Sequence, residues 1–479
     1  MNTRTSAFLT LSLLSLASLA TAQITPGNLV VLRVGTGAAA LSNASTATFL
    51  DEFTTAGTFV QSIPMPTAAS GLDLPCTVSG SATSEGLITS SADGRYLVAV
   101  GYSAAPGIAS VVSTTSAATP RVVARIALDG TVNSSTAIDS LFSANNIRSA
   151  VTTDGSQFWA AGANSGVVYT TLGATGGTSL HATAPTNLRV VGVAGGQLFA
   201  TTSSGSAGRF FAVGTGLPTT AGQTLTSVAG FPLTGGSPYD FYFADANTLY
   251  LADDGSFANG GGIQKWTLSA GTWSRQYVLS AGATIGCRGL SGYTNGGTTT
   301  LYATTTTNLL VAVTDTGASS TFTTLATGAT NTALRGVRFV NVPHSVSFAG
   351  AGSPNTIGVP TIAPLNGLPV IGNAAFAIGS SNFVASGFGF GLLDIGTLGA
   401  GQQIPGAPVG ALVFLNPLSL VAQLVLADGL GATSLPFGIP NAGALAGLPV
   451  ASQFLSYDPM LADPIPFGTS GGMQIVVGF

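Results

Sequence analysis

An all-β fold follows from three observations. Only 6% of the 479 residues are charged while 45% are apolar, and the apolar residues alternate with Thr, Ser and Gly. Such alternation suits pleated, half-buried strands with glycine at the turns. A short motif recurs six times: an apolar strand with a charged residue near its start, a turn that usually contains Gly, then a second apolar strand. The copies begin at Glu85-Gly86-Leu87-Ile88, Ile147-Arg148-Ser149-Ala150, Leu188-Arg189-Val190-Val191, Tyr239-Asp240-Phe241-Tyr242, Cys287-Arg288-Gly289-Leu290 and Leu334-Arg335-Gly336-Val337. A repeat of roughly 40–60 residues made of short strands marks a β-propeller. Composition then changes: after Arg338 the chain has no Lys or Arg, and short apolar strands alternate with Pro and Gly. The prediction is a six-bladed β-propeller over residues 24–342, a link at 343–350 and a C-terminal β-sandwich over 351–479.

The elements are justified in chain order. Met1 to Ala22 has the form of a secretory signal peptide: Arg4, an apolar run from Ala7 to Leu19, and small residues Ala20-Thr21-Ala22 before Gln23. The apolar run is short for a membrane span, so no transmembrane segment is expected in the mature chain. Asn28–Val34, Ser45–Glu52 and Thr58–Ile63 are three strands that precede the first charged copy. The last copy, Leu334–Val340, lacks three strands. Pairing it with Asn28–Val34 closes the ring and removes exposed sheet edges.

The intervening units read as four strands each. The fourth is Tyr239–Phe243, Thr248–Ala252, Gly262–Leu268 and Trp273–Leu279; the fifth is Arg288–Tyr293, Thr299–Thr304, Leu309–Thr314 and Thr321–Ala326. The spacing from Glu85 to Arg148 is the longest, so a loop near Ser103–Pro120 is expected to project. A seven-bladed ring is the alternative if that region holds another blade. In the C-terminal part, strands are expected at Pro360–Ile362, Ala375–Ile378, Ala411–Leu415, Leu420–Leu426 and Met473–Val477.

Several segments resemble known exported proteins. Ser91-Ala92-Asp93-Gly94-Arg95-Tyr96-Leu97 resembles the strand-turn-strand unit of bacterial surface propellers with YVTN-type repeats. Leu251-Ala252-Asp253-Asp254-Gly255 to Lys265-Trp266, with Leu301-Tyr302-Ala303-Thr304 and Leu334-Arg335-Gly336-Val337, resembles bacterial secreted β-propeller proteins. Gly367-Leu368-Pro369-Val370-Ile371-Gly372-Asn373, Ile439-Pro440-Asn441 through Leu448, and Gln453–Asp458 look like a C-terminal β domain of planctomycete-type exported proteins, without the cysteines such domains often carry. These resemblances imply architecture and supply no catalytic residue.

The six repeated positions are the candidate site. In a chain with 13 basic and 17 acidic residues, Arg148, Arg189, Arg288, Arg335, Glu85 and Asp240 share one place in the repeat, on the innermost strands. One reading is a basic collar that grips a carboxylate, sulfate or phosphate. The other is a structural ring paired with Glu85, Asp240 and strand carbonyls. Glu85 is two residues further from its Asp-Gly turn than Arg148, an even offset that keeps it on the same strand face.

Other chemistry is sparse. An arginine cluster in six blades resembles sialidases, but Asp93-Gly94 and Asp154-Gly155 are adjacent where the sialidase repeat separates Asp and Gly. Calcium lactonases gather carboxylates and amides, and four arginines repel a metal. His181 and His344 lack partners at zinc spacing. Asp253-Asp254-Gly255-Ser256 with Asn259 reads as an Asp-Gly turn rather than a calcium loop. Tyr239, Tyr242, Trp266 and Trp273 read as packing aromatics, with a sugar-stacking platform as the alternative. Neither a cofactor nor a metal is expected.

Cys76 and Cys287 would sit at the same end of their strands, so the export route allows a disulfide between them, with two buried thiols as the alternative. A net charge of −4 without a basic patch excludes nucleic acid. The expected function is a secreted or cell-surface scaffold or recognition module that meets a ligand, glycan or protein. The rival is an extracellular hydrolase acting on a carbohydrate or ester at the channel.

Overall fold

A computed structural model describes residues 23–181, 183–295, 297–341, 344–440, 445 and 447–478. The expected signal peptide at 1–22 lies outside the described residues.

Six four-stranded antiparallel sheets follow one another. The first holds Thr89–Ser90, Tyr96–Tyr102, Arg121–Ala127 and Val132–Ile138. The second holds Ile147–Thr152, Gln157–Gly162, Val167–Thr171 and Thr178–Ser179. The third holds Val191–Ala194, Gln197–Thr201, Phe210–Val213 and Leu225–Ser227. The fourth spans Pro238–Asp245, Thr248–Asp253, Gly262–Ser269 and Thr272–Leu279. The fifth spans Cys287–Asn295, Thr298–Thr305, Leu309–Thr314 and Thr323–Thr327. The sixth joins the two ends of the region: Ala333–Phe339 pairs with Leu29–Val34, which pairs with Thr48–Phe53 and, beyond it, Phe59–Pro64. The pairing expected of the last and first strands is therefore present.

The alternating side chains explain why the sheets stack. Residues on one face of a strand alternate with residues on the other. Val30, Leu32 and Val34 pack with Ile88, Leu97 and Val122 of the first sheet, while Leu29 and Val31 pack with Tyr302 and Leu310 of the fifth. The other four junctions repeat the arrangement. Val98 and Ile138 meet Phe158, and Trp159 meets Leu198. Phe210 meets Trp266, and Tyr250 meets Leu301. Both faces of most strands are thus buried, which is why their sequences read as nearly continuous apolar runs. This is a propeller-like array of repeated sheets.

Hydrogen bonds from each sheet to the next, made by the inner strands and by Thr201 and Thr304 of the strands beside them, close the ring. The Thr89 hydroxyl donates to Ala150 O (2.5 Å), and the Ser149 hydroxyl donates to Arg189 O (3.0 Å). Thr201 donates to Tyr239 O (2.6 Å), Leu290 N to Asp240 Oδ2 (3.0 Å), and Thr304 to Arg335 O. Gly336 N donates to Gly86 O (2.9 Å) and completes the circuit. The strands approach closely here. A Cβ on Gly289 would lie 2.7 Å from Arg335 O, and one on Gly336 would collide with Ile88 N, so only glycine fits.

The loop at 103–120 does not project as expected. Gly107 N donates to Ser45 O and Ser45 N to Ile108 O, which folds the loop onto the segment before Thr48. Arg121, fully buried, anchors it through Thr119 O (2.7 Å) and Thr114 O (2.8 Å).

Beyond residue 344 the chain forms a six-stranded sheet and a three-stranded sheet. Phe454, Met473 and Ile475 of the larger sheet share one apolar cluster with Ile378 and Leu435 of the smaller. The expected strands appear within a few residues of their places, at Ala363–Leu365, Ala377–Ser380, Leu412–Val413, Val421–Leu426 and Gly472–Val476. Two central strands, Phe388–Ile395 and Pro449–Tyr457, were not among them. Among the described residues no helix is long and apolar enough to cross a membrane.

Thr304 tests the ring. Its hydroxyl accepts from Gly289 N (3.0 Å) while donating to Arg335 O, so Thr304→Val strands two buried backbone groups. The expected cost is about 1–3 kcal/mol in urea unfolding, with Thr304→Ser near the parent protein.

Candidate functional site

The candidate residues lie at a backbone irregularity that repeats. In the fifth sheet Cys287 faces Thr305 and Leu290 faces Ala303, so Arg288 and Gly289 together oppose one residue. This is a β-bulge, which bends a strand and re-aims its side chains. Arg335 and Gly336 form the same bulge between Leu334 and Val337. Arg148 is the extra residue between Ile147 and Ser149. In the third sheet Arg189 N donates to Thr201 O, and Thr201 N donates to Val190 O.

The bulge corrects the alignment of two copies. In the fourth sheet the bulged pair is Tyr239 and Asp240, between Pro238 and Phe241. Tyr239 therefore takes the place of the arginines, and Asp240 takes that of Gly289. In the first sheet Gly86 O accepts the bond that Tyr239 O and Arg335 O accept elsewhere, so Gly86 holds the arginine place and Glu85 precedes it. A one-residue shift reverses the side chain's direction. Asp240 accordingly pairs with Arg338 rather than with one of the four arginines, and Glu85 acts on Arg148 and Arg335 only through space, without a direct ion pair among the described residues.

Each arginine reaches the neighbouring segment. Arg148 Nη1 donates to Asn187 Oδ1 (2.5 Å) and Leu188 O (2.9 Å). Arg189 Nη1 donates to Ser237 Oγ (2.8 Å) and Pro238 O (3.2 Å). Arg335 spends both terminal nitrogens on Gly80 O (2.9 Å) and Ala82 O (2.8 Å). Arg288 Nε pairs with Asp254 Oδ2 at 3.1 Å, and Arg189 lies 3.8 Å from the same carboxylate. Tyr239 lies at their centre, with Arg189 at 3.9 Å and Arg288 at 5.8 Å from its ring centroid.

Burial and mutual repulsion shape the electrostatics. Burial, then Arg288, pushes Arg335 down to about 10. Arg148 is lowered by burial and by Arg189. Glu85 is buried and accepts from Ser79 N (2.8 Å), Tyr102 OH (2.6 Å) and Asn146 Nδ2. Burial raises its carboxyl above the usual range, and these hydrogen bonds together with Arg335 only partly offset the effect.

The middle of the ring is filled. Leu87, Val190 and Tyr239, from three different sheets, pack together. Toward the ends of the inner strands lies a cavity of about 830 Å³, lined by Phe199, Phe241, Tyr242, Phe243, Ser90 and Gly292 among others. Asp240 and Arg338 form its base. Arg338 donates to both Asp240 oxygens, at 2.6 and 3.0 Å, and to Leu290 O at 2.7 Å. Phe241 N and Leu290 N fill the remaining lone pairs of Asp240. Sequence reasoning missed Arg338, Asp254 and the central role of Tyr239. The signal for Arg338 was present: a second arginine three residues after Arg335 on an otherwise apolar strand.

Several of the remaining candidates make structural contacts. The disulfide is a correction: Cys76 and Cys287 are both free and buried. Cys76 packs between the sixth and first sheets, and Cys287 between the fourth and fifth. Burial pushes both thiols up to about 12. Asp253 caps its own turn through Ser237 N and Gly255 N, and Trp266 stacks on Phe231 with centroids 4.1 Å apart. His181 is buried against Pro185 O. Among the described residues no group of three or more His, Cys, Asp or Glu is placed to hold a metal.

No protein-family model matches the chain, and no curated protein matches it. Solved structures give likenesses at low identity. The periplasmic gluconolactonase PpgL of Pseudomonas aeruginosa is 14% identical with a TM-score of 0.37, covering 94% of this chain and 99% of that one. YCF48 bound to a D1 peptide is 11% identical with a TM-score of 0.33, covering 63% and 82%. The extracellular domain of BT4673 from B. thetaiotaomicron is 8% identical with a TM-score of 0.34, covering 95% and 60%. These neighbours are propeller-like, and at such scores they carry no inference about activity.

Two measurements check the site. Arg338→Ala leaves Asp240 buried and unpaired, at an expected cost of about 3–5 kcal/mol in denaturant unfolding. The double variant Arg338→Met/Asp240→Asn is expected to recover most of it. For Glu85, a raised folded value means that its contribution is complete below about pH 4.3 and is lost as pH rises through the folded value. The parent protein should therefore gain stability on acidification relative to Glu85→Gln, read as a shift in urea midpoint between neutral and mildly acidic pH.

Proposed function

We propose that the chain is a secreted or cell-surface recognition protein without catalytic activity. It comprises a six-bladed propeller over residues 24–342 and a C-terminal β-sandwich over 351–479, joined at 343–350. Its binding face is the aromatic-walled cavity at the ends of the inner strands, open to an extracellular ligand, glycan or protein segment.

The state of Asp240 carries this reading. Its two oxygens accept four hydrogen bonds, two of them from Arg338. A carboxylate with its lone pairs engaged in this way is poorly placed to take a proton from a substrate or attack it. The cavity base then offers a fixed polar anchor, and the half-buried Phe199, Phe241 and Phe243 offer contact area. Pockets of this type, mostly apolar with few polar groups, suit binding. The stacked Phe199–Phe210 pair (5.3 Å) and the Phe210–Phe241 contact (5.0 Å) hold that wall rigid, which lowers the ordering cost of a complex.

Blocking the cavity tests the proposal. Ala194 and Ala246 line its rim outside the packed core. On arrays of neutral glycans and apolar peptides, the parent protein is expected to retain at least one probe. Ala194→Trp and Ala246→Trp should weaken that probe tenfold or more at unchanged melting temperature. Turnover of ester or glycoside substrates that is lost in Asp240→Asn would overturn the reading.

A further inference from the structure

We infer that the collar at the starts of the inner strands binds a small oxyanion, a carboxylate, sulfate or phosphate group, between Arg148, Arg189 and Arg288 beside Tyr239. This site lies across the Leu87–Val190–Tyr239 cluster from the aromatic cavity, so it stands whether or not that cavity binds.

Charge balance is the first argument. Four guanidinium groups are set against three carboxylates: Asp254 within the collar, and Asp253 and Glu85 beside it, which act on Arg189 and on Arg148 and Arg335 respectively. Asp254 serves both Arg189 and Arg288, at 3.8 and 3.1 Å. Glu85 is bonded only to neutral donors: Ser79 N, Tyr102 OH and Asn146 Nδ2. The collar therefore holds excess positive charge in a chain whose net charge is −4. Like charges within reach of one another repel, and a bound anion relieves that repulsion.

Donor accounting is the second. Arg335 commits both terminal nitrogens as a staple to Gly80 O and Ala82 O, although its Nε is buried without an acceptor among the described residues. The other three leave terminal nitrogens uncommitted. Among the described residues Arg148 and Arg189 each donate through Nη1 alone, and Arg288 through Nε alone. Among the described residues Arg148 Nε is buried without an acceptor, as are the Nε atoms of Arg335 and Arg121. Buried donors are ordinarily satisfied, and an unsatisfied one calls for an explanation. The side chains of Arg189 and Arg288 keep 15% and 20% exposure, so neither is sealed from solvent.

Geometry is the third. The Tyr239 ring holds Arg189 by stacking, and the outgoing bonds to Ser237 and Pro238 fix its plane. Guanidinium edges held this way suit the multiple oxygens of an oxyanion. Asp254 already fills part of this role from within the chain, and so it competes with an external anion.

Thermal unfolding of the full chain at constant ionic strength, in chloride with millimolar sulfate, phosphate or acetate, tests the inference. The parent protein and the surface control Arg95→Gln should both rise by about 2 °C or more with at least one anion. The rise should vanish in Arg288→Gln. A sulfate or phosphate response assigns a tetrahedral anion, and an acetate response assigns a carboxylate. Retention of the rise in Arg95→Gln and its loss in Arg288→Gln together separate site binding from the general stabilisation that sulfate gives any protein. Should Arg288→Gln fail to fold, calorimetric titration of sulfate into the parent and into Asp254→Asn decides. Removal of the internal competitor should tighten binding threefold or more. Equal melting shifts in the parent and Arg288→Gln, no shift in the parent, or unchanged affinity in Asp254→Asn would each overturn the inference.

Discussion

A β-bulge at the start of the inner strands passes backbone hydrogen bonds from one sheet to the next, and the rest of the ring depends on it. In a regular ladder the N–H and C=O groups of Arg288, Gly289, Arg335 and Gly336 would be spent within their own sheets. The register shift frees some of them. Thr304 then accepts from Gly289 N and donates to Arg335 O, and Thr201 does the same for Val190 N and Tyr239 O. Hydroxyl-rich composition is therefore a structural requirement. A chain so poor in charge joins its sheets with Ser and Thr, each of which can donate and accept at once.

The same bulge sorts the polar groups into two sets. Its first residue points to the collar, as with Arg148, Arg189, Tyr239, Arg288 and Arg335. Its second residue approaches a neighbouring sheet or the interior, as with Ser149, Val190, Asp240 and the two glycines. Adjacent residues of one dipeptide, Tyr239-Asp240, thus serve opposite ends of the ring. Tyr239 stacks with Arg189, and Asp240 locks Arg338 at the base of the cavity. Glu85 belongs to neither set. Tyr102 and Asn146 draw it into a network that extends through the Tyr102 ring to Arg121, 4.9 Å away, and so to the loop at 103–120.

Much of this order was legible in the residues. The four-strand units and the pairing of Leu334–Val340 with Asn28–Val34 follow from apolar runs bounded by glycine turns. The Gly195-Gly196 hairpin, with φ of 54° and 74°, is one such turn. The register of two copies was not legible, because a charge was used as the marker. Position in the bulge, rather than charge, is what repeats, so Tyr239 and Gly86 were passed over in favour of Asp240 and Glu85. The cysteines misled for a related reason: being at the same end of their strands places two residues on one rim but not in one junction. Phe388–Ile395 was missed because its glycines read as breaks, although Gly389 and Gly391 sit in the ladder, where Leu455 O and the Leu435 side chain leave no room for a Cβ.

Hydrogen exchange tests the central claim directly, because it reads the amides that the bulge transfers. Val190, Gly289, Leu290 and Gly336 donate to a neighbouring sheet or to the hydroxyl that joins two sheets. If the ring is held at this level, those amides exchange only by global unfolding and share its free energy, while the outer strands such as Leu225–Ser227 and Thr323–Thr327 open earlier. Exchange of the bulge amides ahead of the outer strands, at a free energy well below the global value, would contradict the account.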